Sequence, residues 1–344
     1  MHFKAPRRLT ATLSRTPSIA AALLTALAAG CASLPWETAT PAAKPTPVVE
    51  PAPVQPAPVA SAPVIPPKPV STEPEGPPRK EVVFAVTADH RLLSFNAGQP
   101  ARLLTGRQLS GLRTGEEILG IDFRVHKRVL YALGRTGAES RLLIIDTATA
   151  RVTQVGTTPL LVPLNGLAFG FDFNPTVDRI RVVSDTGQNL RVHPDTGAVV
   201  NTDPKESGVV TDGRLVYDKA DINAKRRPSV LAAAYTYNKN EKITTNFAID
   251  SFARTLVIQG TREGVTPGVS PNSGRLFTVG SLQAGPFANA SFDIADLAGT
   301  AFVATTAVGA RESRFHLMDL NTGRATYLGR IGGGEAIVGI AVEP

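Results

Sequence analysis

Cysteine is nearly absent, since Cys31 is the one cysteine in 344 residues. That excludes an intrachain disulfide and any zinc or iron–sulfur centre ligated by several cysteines. Long apolar runs are missing as well. The run Ile19–Ala29 has about eleven residues, against the roughly twenty that a helical membrane span needs. After residue 80 no long segment keeps a helical period, and HExxH, GxSxG, SxxK and CxxC do not occur. The familiar routes to hydrolysis therefore have no visible machinery, and no catalytic residue, metal ligand or cofactor site is assigned.

The charge is lopsided only in appearance. Lys and Arg number 36 against 29 Asp and Glu, with a pI near 9.7. Lys4, Arg7, Arg8 and Arg15 lie in the first thirty residues, and residues 31–80 are balanced at four of each sign, so residues 81–344 carry 28 basic and 25 acidic residues, a net +3. No Arg/Lys stripe with interleaved aromatics accompanies that charge, so nucleic acid is not an expected partner.

What is present at the start of the chain is a basic, polar stretch, then the short apolar run, then Leu27-Ala28-Ala29-Gly30-Cys31. This is the layout of a signal peptide, and its end resembles the lipobox of bacterial lipoproteins. The expectation is a cleaved signal over 1–30 and acylation of Cys31, with Ala32 favouring the outer membrane. Residues 41–80 read PAAKPTPVVEPAPVQPAPVASAPVIPPKPVSTEPEGPPRK. Proline removes the backbone donor and fixes φ, so this is a tether; as polyproline II it reaches up to roughly 120 Å.

From residue 81 onward short β-like runs such as VVFAV, VLYAL and RIRVV alternate with turn residues. The segments Gly120–Gly156, Gly170–Val200, Ser291–Gly329 and, more loosely, Ser229–Leu282 repeat one order of strands. Four strands per forty to fifty residues is the cadence of a propeller blade. Residues 336–342 look like a first strand with nothing after it, while residues 82–104 supply later strands with no first one. Pairing the two closes the ring and hides both edges. The expectation is an all-β propeller of five four-stranded blades over 81–344; six is the alternative, because 203–227 and 261–274 are long enough to hide strands.

Asp122, Asp172 and Asp293 recur at one place on the first strand of three blades, with Ala234 and Ala341 at that place in the other two. Such a ring either binds a cation or cationic ligand in the channel or accepts hydrogen bonds that pin neighbouring blades. The run from Asp172 to Arg191 also contains Asn174, Asp178, Arg179, Arg181 and Asn189. Arg179 and Arg181 share a strand face and could pair with Asp172 or Asp178, either as an anion-binding cluster or as an internal salt-bridge network. The Asp146, Asp195 and Asp319 turns lack calcium-loop spacing and read as hairpin turns. His90 and His126 fall in turns that look comparable, which makes a shared metal conceivable; dispersed surface histidines are the plainer reading.

GEEILGIDFR, FGFDFNPTVDRIRVVSDTGQNLRVHPDTGAV, LAAAYTYN, FDI and the closing GRIGGG resemble the bacterial domain of unknown function 4394 over about Val82 to Val342. The resemblance implies a propeller-like repeat body in secreted or envelope proteins, and no activity. The functional expectation is a monomeric outer-membrane lipoprotein, facing the periplasm or the cell surface, held to the membrane by its N-terminal lipid. It presents the propeller to a ligand, a cell-wall glycan or an envelope protein. The alternative is a propeller hydrolase or lyase using the channel carboxylates, metal-assisted or not.

Overall fold

The computed structural model describes residues 76–344; the expected signal peptide, Cys31 and residues 32–75 of the tether lie outside the described residues. In chain order the strands are β1 (Val82–Thr87), β2 (Arg91–Asn96) and β3 (Leu103–Gln108), then β4 (Glu117–Arg124), β5 (Val129–Thr136), β6 (Glu139–Ile145) and β7 (Val152–Gln154). Next come β8 (Phe169–Asn174), β9 (Arg179–Ser184) and β10 (Asn189–Val192), and after an insertion β11 (Val216–Tyr217), β12 (Val230–Tyr235), β13 (Asn246–Asp250), β14 (Thr255–Gln259) and β15 (Arg275–Ser281). The last group is β16 (Phe287–Ile294), β17 (Ala301–Ala307), β18 (Ser313–Met318), β19 (Ala325–Arg330) and β20 (Ile337–Val342). Five sheets result, ordered β20-β1-β2-β3, β4-β5-β6-β7, β8-β9-β10, β12-β13-β14-β15-β11 and β16-β17-β18-β19. They are numbered blades 1 to 5 below.

The protein is a five-bladed β-propeller, closed as the unpaired last strand requires. β20 pairs antiparallel with β1, with Val342 opposite Val83 and Ile340 opposite Ala85, so blade 1 joins the two ends of the propeller sequence. The long insertions do not build a sixth blade. The first contributes only the two-residue β11, which adds parallel to β15 at the outer edge of blade 4, and the second holds a single 3₁₀ turn, Pro271–Ser273. Blade 3 is shorter than its sequence suggests, because its fourth strand shrinks to one bridge between Val192 and Val199 before the chain leaves for the insertion.

Middle strands are buried on both faces, as in β5 and β14, because each blade packs its flat faces against two neighbours; the outer β3 and β19 keep many exposed positions. The core accordingly falls into five clusters, one per seam. Phe95, Phe302 and Phe315 dominate the seam between blades 5 and 1, and Tyr131, Phe171 and Phe173 the seam between blades 2 and 3. The seam between blades 3 and 4 has the smallest apolar cluster, built around Val183, Tyr217 and Val257.

Candidate functional site

The five inner strands β4, β8, β12, β16 and β20 stand around the axis. One position on each carries a small residue at the same level, Gly120, Gly170, Ala232, Ser291 and Gly339, because neighbouring strands crowd together there. A Cβ on Gly120 would lie 2.7 Å from Phe171 Cβ, and one on Gly170 would lie 2.6 Å from the Ala233 nitrogen, so only glycine fits. The channel narrows at this level to a void of about 20 Å³. Two residues further along each strand, on the same face, come Asp122, Asp172, Ala234, Asp293 and Ala341.

The carboxylates of this ring serve the backbone. One amide per inner strand points at the ring, and three carboxylates accept all five. Asp122 takes Phe123 N and Phe173 N, both at 2.7 Å. Asp172 takes Tyr235 N at 2.9 Å through Oδ2, and Asp293 takes Ile294 N at 2.6 Å and Val342 N at 2.5 Å. In each bond that crosses a seam, the carboxylate of one blade holds the amide after the corresponding position of the next. Ala234 and Ala341 have nothing to offer, so the amides they would hold, those of Ile294 and Phe123, turn to the Asp beside them in sequence. Pinning of neighbouring blades is thus met without a complete ring.

Electrostatics at the axis remain uncompensated. Burial raises the pKa of Asp122 and Asp172 well above the ordinary carboxylate range, and repulsion from Asp293 and Asp296, and for Asp172 also from Asp122, adds to it. Burial lifts Asp293 to about 6 against its two amide donors. Asp296, in the turn after β16, is pushed up to about 8 by burial and by Asp293, with Lys239 opposing. The sequence reading missed Asp296, which is outside the repeated position. One oxygen from each of Asp122, Asp172 and Asp293 lies within 4.8 Å of the others, and among the described residues this is the one group of three His, Cys, Asp or Glu placed to share an ion.

The dense run from Asn174 to Arg191 does not form one site. Asp178 belongs to the seam between blades 2 and 3, where Arg124 binds both Asp178 and Asp195, with Lys127 3.1 Å from Asp195. Hydrogen bonds to Asp195 and Asp178 raise the pKa of Arg124, and those from Arg124 and Lys127 depress that of Asp195. Arg179 bonds the Asp178 carbonyl at 2.8 Å, and Asn174 reaches Thr244 at 3.1 Å.

Arg181 and Arg191 converge instead on Asp212. Arg181 Nη1 is 2.6 Å from Asp212 Oδ2 and 2.8 Å from Asn189 Oδ1, its Nη2 donates to Asn272 at 2.7 Å, and its Nε donates to Tyr235 Oη at 3.1 Å. Arg191 grips the same carboxylate through two bonds of 2.8 Å. The expected pairing of Arg179 or Arg181 with Asp172 or Asp178 side chains is therefore absent. Asp212 comes from the 203–227 insertion, where no strand pattern marked it.

His90 and His126 do not lie in equivalent turns. β20 is the first strand of blade 1, so His90 sits in a second-to-third turn (β1–β2) and His126 in a first-to-second turn (β4–β5), on opposite rims. On the rim where inner strands begin, a cavity of about 300 Å³ at the channel mouth is lined by Thr87, His90, Glu117, Arg135, Leu167 and Asn289 among others. Farther out on that rim, a pocket of about 350 Å³ lies between the β9–β10 turn and the insertion, with Arg214, Lys225, Arg226 and Arg227 in its wall. On the opposite rim a cleft of about 560 Å³ between blades 4 and 5 includes Arg79, Phe247, Arg262 and Asn321.

Residues 91–341 match the family described as Domain of unknown function (DUF4394). No curated protein matches the sequence. Among solved structures, one described as a nidogen/laminin complex is 10% identical with a TM-score of 0.42, the match covering 77% of this chain and 98% of that one. TolB from Acinetobacter baumannii is 10% identical at 0.39, over 73% of this chain and 53% of that one. An engineered GH43 glycoside hydrolase is 12% identical at 0.45, over 74% of this chain and 52% of that one. The chain thus spans about half the length of the latter two, and similarity this weak carries nothing about function.

Proposed function

The chain belongs to the family described as Domain of unknown function (DUF4394), and from that premise, which brings no activity with it, we propose that it is a binding propeller for anionic groups of envelope polymers, displayed from the outer membrane by a lipid on Cys31 and the tether of residues 31–80. The observation that carries this reading is the pocket formed by Arg214, Lys225, Arg226 and Arg227. All four are exposed, and among the described residues none has a carboxylate within ion-pair distance. By contrast Arg124, Arg141, Arg181 and Arg191, which lie in the seams, are each paired with a carboxylate.

The acids nearest in sequence are already used. Asp218 pairs with Arg275, and Asp221 accepts from Thr278. Arg214 Nη2 is fixed by the Thr186 carbonyl at 2.6 Å and Arg227 Nη2 lies 3.5 Å from the same oxygen, which leaves their remaining donors and the heads of Lys225 and Arg226 for a ligand. Unneutralised donors gathered in a concave wall favour phosphate or carboxylate groups through charge-assisted hydrogen bonds. A hydrolase or lyase at the channel carboxylates is less well supported, because neither the mouth cavity nor the axial void is lined by the triad, so no space of substrate size reaches it.

The test is sedimentation of the full chain with purified envelope polymers, with Arg226→Glu/Arg227→Glu as the comparison. A loss of affinity of roughly tenfold or more, shrinking as salt is raised, is expected. Unchanged binding by the variant sinks the reading. Mass spectrometry of the mature N-terminus checks acylation of Cys31, and protease shaving of whole cells decides which face of the membrane the propeller occupies.

A further inference from the structure

The axial carboxylates are an anionic site without a counter-charge. Asp122, Asp172 and Asp293 are all buried, and Arg124, two residues on from Asp122, and Arg181, opposite Asp172 in the ladder, are engaged elsewhere, with Asp178 and Asp195 and with Asp212. Five amide dipoles stabilise the ring, but among the described residues no cationic side chain forms an ion pair with any of its three carboxyls. A buried carboxylate needs a partner, and such groups are found paired or on metals.

We propose that the ring binds one divalent cation of the large, oxygen-preferring kind, calcium, through one oxygen each of Asp122, Asp172 and Asp293. Because those oxygens lie within 4.8 Å of one another, a point within about 2.8 Å of all three exists between them. Contraction by a few tenths of an ångström reaches the 2.3–2.6 Å of calcium–oxygen bonds, whereas magnesium at about 2.0–2.1 Å needs a collapse that the inter-blade amide bonds resist. The donors are not exhausted by the backbone. Each carboxylate oxygen accepts more than one interaction, and Asp172 Oδ1 has no donor among the described residues.

A second observation is independent of the acids. Ser291, two residues before Asp293 on the same face of β16, is 6% exposed, its Oγ has no hydrogen-bond partner, and it lines the axial void of about 20 Å³. A polar void of that size holds one water. A water there bonds Ser291 Oγ one step along the strand face from Asp293, and on this proposal it completes the shell of the ion from that side. The orphaned hydroxyl and the uncompensated carboxylates then have one explanation.

The experiment uses the full chain in detergent, stripped with EDTA and dialysed, with calcium chloride as the probe in thermal melts and calorimetry. The expected result is one site per chain and a melting temperature that climbs by several degrees as calcium exceeds its Kd by about a hundredfold. Asp172→Asn, which keeps an acceptor for Tyr235 N, should melt cooperatively but lose the calcium response. Ser291→Ala should retain the response with affinity weakened several-fold, and the remote Asp195→Asn should respond as the wild type does. A wild-type chain whose melting and heats ignore calcium after EDTA overturns the proposal, as does an equal response to magnesium. If Asp172→Asn does not fold, elemental analysis of the wild type decides: calcium retained through gel filtration at about one per chain supports the site, and a trace amount rejects it.

Discussion

Two seams of the ring are built on opposite principles. Between blades 5 and 1 the contact is aromatic: Phe315 stands edge-on to Phe95 at 5.1 Å and lies stacked on Phe302 at 5.2 Å, all three fully buried. Between blades 3 and 4 the apolar cluster is small, and the space is filled by Arg181, Asp212, Asn189, Gln259 and Asn246 in a continuous hydrogen-bonded chain. The first seam tolerates any arrangement that keeps volume and shape. The second depends on its donors finding acceptors, since unpaired buried polar groups are costly, and one acceptor of the chain, Asn246 Oδ1, is left without a donor among the described residues. A propeller thus closes equally well with either, and the seam that receives the insertion is the polar one.

The largest expected effects come from emptying each seam of its centre. Asp212→Ala orphans the Arg181 guanidinium, which is 2% exposed, and should cost about 3–5 kcal/mol. Phe315→Ala should cost a similar amount, about 3–5 kcal/mol, by lost burial and cavity formation. Denaturant melts measure both. The contrast sharpens in rescue: Arg181→Met with Asp212→Leu should recover part of the loss, because an apolar pair of similar volume needs no partners, although Tyr235 Oη and Arg191 lose theirs. If the double variant is no more stable than Asp212→Ala, the polar seam is not what distinguishes the two.

The sequence made the repeat, the closing strand and the recurrence of Asp122, Asp172 and Asp293 readable, because each follows from alternation and spacing within a blade. It left open whether there were five blades or six, and the answer turned on β11, a two-residue strand whose pairing with β15 is decided only by tertiary contact. The partner of Arg181 was hidden for a related reason, since Asp212 lies 31 residues away in an insertion with no period. The turning of the Ile294 and Phe123 amides to their own neighbours was hidden more deeply, because backbone donors leave no mark in a sequence. The unpaired Arg214, Lys225, Arg226 and Arg227 carried a visible signal, the basic run within the insertion, but a charge run says nothing of which acids will fold against it.

A middle-sized effect tests how far buried ion pairs dominate other seams. Glu116, in the linker between blades 1 and 2, is held by Arg141 at 2.5 and 2.6 Å and by Arg113 N at 2.8 Å. Burial alone would raise its pKa, but Arg141 and the Arg113 amide outweigh burial and hold it below the ordinary range. A depressed carboxylate adds stability above its unfolded pKa of about 4.3 and loses it as pH falls through the lower folded value. Glu116→Gln should therefore cost about 1.5–3 kcal/mol at neutral pH, and the gap to the wild type should narrow progressively below about pH 4. A gap that stays constant from pH 7 to 3 would show that shape, not charge, is what Glu116 supplies.

The smallest effect is expected where ion pairs look most numerous. Asp195 touches both Arg124 and Lys127, yet its side chain is 48% exposed, and Arg124 keeps Asp178 when Asp195 is removed. No charge is orphaned, in contrast to Asp212, whose side chain is 1% exposed and is the one carboxylate paired with Arg181. Asp195→Ala should cost at most about 1 kcal/mol, and molar salt, with a screening length of about 3 Å, should erase the difference. A loss near that of Asp212→Ala, unmoved by salt, would mean that the seam between blades 2 and 3 also hangs on one carboxylate and that burial does not separate the strong pairs from the weak.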